Sequence, residues 1–183
     1  MRTLACLLAL CLTAASLAQN PQKPRLAHKL LAAEAGTWDC DVKMFKGQQP
    51  LEFRGVEVNE LVGGGLYLKT SFIFQMGGQR QFEGHALMGY DPRAKKYVGT
   101  WVDNFTTVPR RIEADYDAAA KVLTDHSRVA DARGNELKTK QITTWSSDTQ
   151  KKIEIFLLID AGGQESEVKL MEIVATKQNQ GEN

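Results

Sequence analysis

The chain has 183 residues, with 23 basic and 22 acidic side chains, a net charge of +1 and 43% hydrophobic residues. Charges of both signs are interspersed, so there is no basic stripe to track a nucleic-acid backbone. Three cysteines, Cys6, Cys11 and Cys40, are too few for a disulfide scaffold.

The N-terminus carries the three parts of an export signal. Arg2 supplies a positive n-region, Leu4 to Leu17 is apolar except for Thr13 and Ser16, and Ser16-Leu17-Ala18 offers small residues to a signal peptidase. Residues 1–18 therefore read as a cleavable signal peptide, cut near Ala18, that sends the chain to the periplasm or outside the cell. The apolar run is about 14 residues, where roughly 20 are needed to cross a bilayer. No later segment is long enough either, so no membrane span is expected. Cys6 and Cys11 lie inside the apolar run rather than just after it, which argues against a lipid-modified cysteine. Cleavage leaves Cys40 alone, so the oxidising compartment adds no internal disulfide. The domain must stand on its core, and Cys40 reads as a buried, inert thiol in phase with Trp38 and Val42.

Residues 19–24 are polar, carry Pro21 and Pro24, and read as an exposed lead-in. Leu26, Leu30, Leu31 and Ala35 recur near helical spacing, which predicts a short helix over Arg25 to Glu34, with Gly36 as its left-handed C-terminal residue. From there the period becomes two. Trp38, Cys40, Val42 and Met44 alternate with Asp39, Asp41 and Lys43, the mark of a half-buried strand. Further strands are predicted over 51–62 (with Gly55 as a possible bulge), 66–75, 79–90, 96–105, 110–116, 122–129, 137–145, 152–159 and 167–176. Turns at Gly63-Gly64-Gly65, Gly77-Gly78, Asp91-Pro92, Asp131 to Gly134 and Gly162-Gly163 separate several of them. Residues 178–183 read as a frayed tail.

These gaps are too short for parallel crossovers, so neighbouring strands pair as antiparallel hairpins. A meander of about ten strands has exposed edges, and closure into a barrel removes them. The expected fold is all-β, a roughly ten-stranded up-and-down barrel over residues 25–177 with a short N-terminal helix. A two-sheet sandwich is the alternative.

Several stretches resemble known families. Gly36-Thr37-Trp38 after a short helix looks like the Gly-x-Trp opening of lipocalins. The wider pattern is similar to the bacterial secreted family known as domain of unknown function 1579. It comprises His28-Lys29-Leu30-Leu31, Leu66-Tyr67-Leu68, Gly84 to Asp91, Lys96-Tyr97, Trp101-Val102-Asp103 and Lys169 to Ile173. The resemblance implies a lipocalin-like (calycin-like) barrel in the periplasm or outside the cell, and no established activity. Lipocalins often lay an arginine over the opening tryptophan. The late strand here offers Lys169 and Lys177 instead, and an ammonium stacks less well than a guanidinium.

The chemistry-bearing candidates are few. Tyr97, Gly99, Trp101 and Asp103 share one strand face, with Tyr90 on the strand before it. If that face points inward, an aspartate and aromatic rings line the interior, suited to a polar contact or to proton transfer. The plainer reading of Asp103 is a turn cap or a partner for Arg110 or Arg111. Trp38 and His126 complete the candidate ligand-binding set, with His126 equally readable as a solvated strand residue. His85 falls out of phase with Ala86 and Met88, which predicts an outward position. The alternating Thr139, Gln141, Thr143 and Trp145 would make a wet cavity wall if they face inward. Asp125, His126 and Ser127 are consecutive and so point to alternate faces, which excludes a triad among them. No catalytic residues, metal site or cofactor are indicated. The expected partner is a small apolar or amphipathic ligand; alternatives are a filled scaffold and an enzyme built on Asp103. Nothing in the pattern specifies an oligomeric state.

Overall fold

The computed structural model describes residues 22–47, 49–78, 80–130, 136–160, 162 and 165–179. The segment read as an export signal and the final residues lie outside the described set, as does the turn predicted at Asp131 to Gly134.

The alternating pattern after Gly36 folds as ten strands. They are β1 (Gly36–Met44), β2 (Leu51–Val62), β3 (Tyr67–Gln75), β4 (Gln81–Asp91), β5 (Lys96–Asp103), β6 (Arg110–Asp117), β7 (Val122–Ala130), β8 (Glu136–Ser147), β9 (Gln150–Asp160) and β10 (Glu165–Lys177). Each pairs antiparallel with its chain neighbours, and β1 closes the circle on β10, with Trp38 opposite Lys177 and Met44 opposite Met171. The chain is a closed barrel, not a sandwich. Closure leaves no edge with unpaired backbone groups.

One helix, α1 (His28–Glu34), precedes the barrel and covers one end. It begins three residues later than its spacing suggests. Arg25 donates its backbone N–H to His28 Nδ1 at 3.0 Å, so residues 25–27 form an entry turn rather than a first helical turn. Leu31 has no exposed surface and packs with Leu68, Tyr97, Ile112 and Ala114. Tyr97 donates its hydroxyl to Ala27 O at 2.6 Å, which ties the helix to β5. Gly36 follows the capping residue Ala35 with a positive φ of 128°, as its position after the helix suggested, and opens β1; a Cβ there would meet Lys177 Cε at 2.8 Å. Gly55 is not a bulge. Its ladders to β1 and β3 run unbroken, and a Cβ would lie 2.8 Å from the Ile73 carbonyl oxygen. The register shifts occur instead between Lys169 and Met171 and between Trp145 and Ser147.

The core falls into two clusters. One lies under the helix. The other joins Trp38, Cys40, Val42, Phe72, Phe74, Ile153, Ile173 and Ala175. Trp101 packs against both. Gly84, opposite Asp103 on the neighbouring strand, makes room for it: a Cβ at Gly84 would overlap the Trp101 indole.

Of the two late-strand lysines, Lys177 reaches Trp38, whereas Lys169 lies against Phe45 and Phe156. Lys177 Nζ lies 5.2 Å from the Trp38 ring centroid and donates to Ala33 O at 2.8 Å, while Lys151 Nζ lies 4.3 Å from the same ring. Trp38 is fully buried and donates its own Nε1 to Glu34 O at 3.0 Å. Two ammonium groups thus lie against one indole.

Candidate functional site

Between the two core clusters the barrel holds a cavity of about 300 Å³. Its walls differ in chemistry because the inward phase of each strand differs. On β3, β4 and β5 the inward residues include Leu68, Phe72, Phe82, Ala86, Met88 and Trp101. Across the barrel, β7 and β8 turn Asp125, Thr139, Gln141 and Thr143 inward. Thr143 is only 5% exposed. Among the described residues, the side chains of Gln141 and Thr143 take no hydrogen-bond partner, and every fully enclosed polar side-chain atom has one. The free amide and hydroxyl therefore border open cavity space.

At the helix end the cavity floor is ionic. Lys151, on β9, donates to Glu34 Oε2 from the helix and to Glu57 Oε1 from β2, the latter at 2.7 Å. Trp145 Nε1 donates to Glu34 Oε1, and Asn59 Nδ2 donates both to Glu57 Oε1 and to Glu34 O. Thr70 completes the set by donating to Asn59 Oδ1 at 2.6 Å. Burial by itself would push the Lys151 ammonium down. The two carboxylates outweigh it, and its pKa lies above the ordinary lysine value.

A second ion pair lies toward the opposite end. Arg110 Nη1 donates to Asp125 Oδ2 and to Ser127 Oγ at 2.8 Å. Asp125 Oδ1 also accepts the Glu113 N–H at 3.0 Å, so this carboxylate pins β6 to β7. A small side pocket of about 80 Å³ adjoins the pair, between Trp101, Asp103, Val108 and Arg128.

The sequence candidates separate on this geometry. Trp101 and Asp103 line the cavity. Tyr97 and Tyr90 point inward but are packed beneath the helix, ring to ring at 5.2 Å. Burial, then the neighbouring Tyr90 and Tyr116, pushes the Tyr97 hydroxyl up to about 12. Trp38 belongs to the core behind the floor. His126 is exposed on the outer face, since the inward phase of β7 falls on Asp125 and Ser127; it does not line the interior.

Asp103 has the plainer role. Its Oδ1 accepts the N–H groups of Phe105 and Thr106, both at 2.9 Å, and its Oδ2 accepts Trp101 Nε1 at 2.9 Å. Both oxygens are committed to capping a turn and orienting an indole. Asp103 thus caps the turn and positions the indole.

Sequence reasoning placed Trp145 in a candidate wall but missed the charged residues of the floor, and it missed an outer-face relay. Ser71 Oγ lies 3.0 Å from His85 Nδ1, and His85 Nε2 lies 2.9 Å from Glu83 Oε1. Ser71 and His85 are cross-strand partners, so their adjacency exists only once β3 and β4 pair. This order of groups is that of a hydrolytic triad, but it sits on the outer face of a paired sheet. The surrounding backbone N–H groups serve the ladder, which leaves none to hold an oxyanion. Among the described residues no group of His, Cys, Asp and Glu has metal-binding geometry, and no helix is long and apolar enough to cross a membrane.

A helix-capped, ten-stranded antiparallel calyx with a partly polar interior defines this molecule as a lipocalin-like barrel. The family model described as a protein of unknown function, DUF1579, matches residues 23–177, and the chain belongs to that family. No curated protein matches it.

Proposed function

We propose that this chain is an exported binding protein that holds a small, partly apolar ligand inside its barrel. The observation that carries the reading is the cavity of about 300 Å³ in which Gln141 and Thr143 have no protein partner. Natural small-molecule sites start near roughly 300 Å³ and combine apolar walls with a few convergent polar groups. A space of this size has room for about ten waters, each taking roughly 30 Å³. The apolar wall of β3 to β5 favours displacing them with a ligand. A scaffold with a filled interior would have no use for such a space. An enzyme built on Asp103 would have to share its oxygens with the Phe105 and Thr106 N–H groups and with Trp101 Nε1. The signal-like N-terminus supports action outside the cytoplasm.

Native mass spectrometry of the protein purified from its own host tests this. The expected spectrum contains a small-molecule adduct that is lost on unfolding. An Ala86→Phe variant, which fills the cavity from β4, should fold and lack the adduct. An adduct that persists in that variant would place the ligand elsewhere, and a wild-type protein without any adduct would count against the reading.

A further inference from the structure

We infer that the cavity floor is built for a ligand whose buried end is a hydrogen-bond donor, specifically a protonated amine. This rests on the binding reading above and names the ligand's chemistry at that site.

The first observation is the oxygen left over at the floor. Lys151 and Asn59 both donate to Glu57 Oε1. Glu57 Oε2 takes no hydrogen bond among the described residues, although the Glu57 side chain is only 10% exposed. Every fully enclosed polar side-chain atom has a partner, so Oε2 borders open space, and the space Glu57 borders is the cavity. A nearly buried carboxylate oxygen without a donor is costly to leave unmade.

The second observation is independent of the first. Thr143 is nearly buried on β8, two positions from Trp145, whose indole reaches the Glu34 carboxylate, and it pairs with Ile153, one inward position from Lys151. Its unpartnered hydroxyl, able to accept or to donate, adds a second polar group beside the floor. The charged and amide groups of the floor have their donors in use. Lys151 spends its hydrogen bonds on two carboxylates and lies over the Trp38 ring, and Trp145 and Asn59 are already donating.

Charge points the same way. Four carboxylates line the cavity, Glu34, Glu57, Asp103 and Asp125, against the two cations Lys151 and Arg110. An anionic head group at the floor meets a negative surplus, with the neutral Thr143 hydroxyl and Gln141 amide as its donors. A cationic one meets Glu57 Oε2 and Thr143, while its apolar body lies along Phe72, Met88 and Trp101.

Binding of three probes with the same chain and different heads tests the inference: n-octylammonium, n-octanol and n-octanoate, followed by calorimetry and by Trp fluorescence. The ammonium should bind at least about tenfold more tightly than the alcohol, the value of one charged hydrogen bond, and the carboxylate most weakly. Glu57→Gln should erase most of the ammonium preference and leave octanol binding within about twofold. If Glu57→Gln fails to fold, n-octyltrimethylammonium, which keeps the charge and has no N–H to donate, should bind the wild-type protein at least about tenfold more weakly than n-octylammonium, and equal binding of the two overturns the inference. Octanoate binding as tightly as octylammonium, or a preference untouched in a folded Glu57→Gln protein, overturns the inference but spares the binding reading. No binding of any of the three overturns both.

Discussion

Among the described residues the barrel interior holds two buried ion clusters, and they are built on opposite principles. At the helix end, Lys151 faces two carboxylates, one from the helix and one from β2, so α1, β2 and β9 meet at one ammonium. Toward the other end, Arg110 faces the single carboxylate of Asp125, and both come from neighbouring strands. The first cluster joins elements far apart in sequence and leaves an acceptor free. The second joins a hairpin and leaves the outer edge of a guanidinium free. The difference separates their roles. The Lys151 cluster fastens the helix onto the barrel, whereas the Arg110 cluster pins β6 against β7.

The largest expected effect comes from removing the shared cation. Lys151→Met keeps the side-chain length and leaves Glu34 and Glu57 buried without their counter-charge. Breaking a buried pair this way costs about 3–5 kcal/mol. Urea unfolding should show it, and Glu34→Gln added to Lys151→Met should recover part of the loss. A cost below about 1 kcal/mol would mean that water reaches the floor and screens it. Arg110→Met should cost less, about 1.5–3 kcal/mol, because Asp125 keeps the Glu113 N–H and the Ser127 hydroxyl. Equal losses in the two variants would erase the distinction between a global tie and a local one. Hydrogen exchange should separate them further: Lys151→Met should deprotect α1, and Arg110→Met should deprotect β6 and β7 alone.

The two clusters were unequally visible in the sequence, for a physical reason. Alternation records which face of a strand is buried, so the ten strands and their closure could be read from the pattern and the short turns. Trp101 and Asp103 could be placed on one face with Tyr97 for the same reason. Asp125 and Ser127 stand in phase with Leu123 and Val129, a signal that was present but was obscured by His126 between them. Lys151 stands in phase with Ile153 and Ile155, but the predicted strand began one residue too late, at Lys152. Glu57 was harder still. Its strand carries Val56 and Val58 on the outer face, 40% and 37% exposed, so hydrophobicity alone assigns the wrong side inward. Glu34 lies 117 residues from Lys151 in the chain, and no local pattern encodes that contact. The ion cluster exists only because the barrel closes under the helix.

Cys40 gives the smallest effect, and it reports on the Lys151 cluster from behind. Burial, then the charge of Glu57, pushes its thiol from 9.0 up to about 12, while Lys151 pulls the other way. An unfolded chain loses that proton first, so above pH 9 the unfolded state binds fewer protons than the folded one. Stability contributed by the protonated thiol is therefore full below pH 9 and falls as pH rises from 9 toward 12. Cys40→Ala should flatten this early part of the alkaline limb, leaving the later part set by Tyr97, whose hydroxyl is also raised to about 12. The same variant should lower stability at pH 7 by only about 1 kcal/mol, because the thiol is small and makes few polar contacts. In the native protein a thiol reagent should label Cys40 at the unfolding rate at pH 8. In Lys151→Met the thiol loses the one cation that favours its ionisation. Labelling should then become faster only through faster opening, in step with the stability loss by urea, and not through a more reactive thiolate. Labelling that outpaces opening in that variant would show that the ammonium shields Cys40 sterically and not through its charge, and the floor would then be a packing feature first and an electrostatic one second.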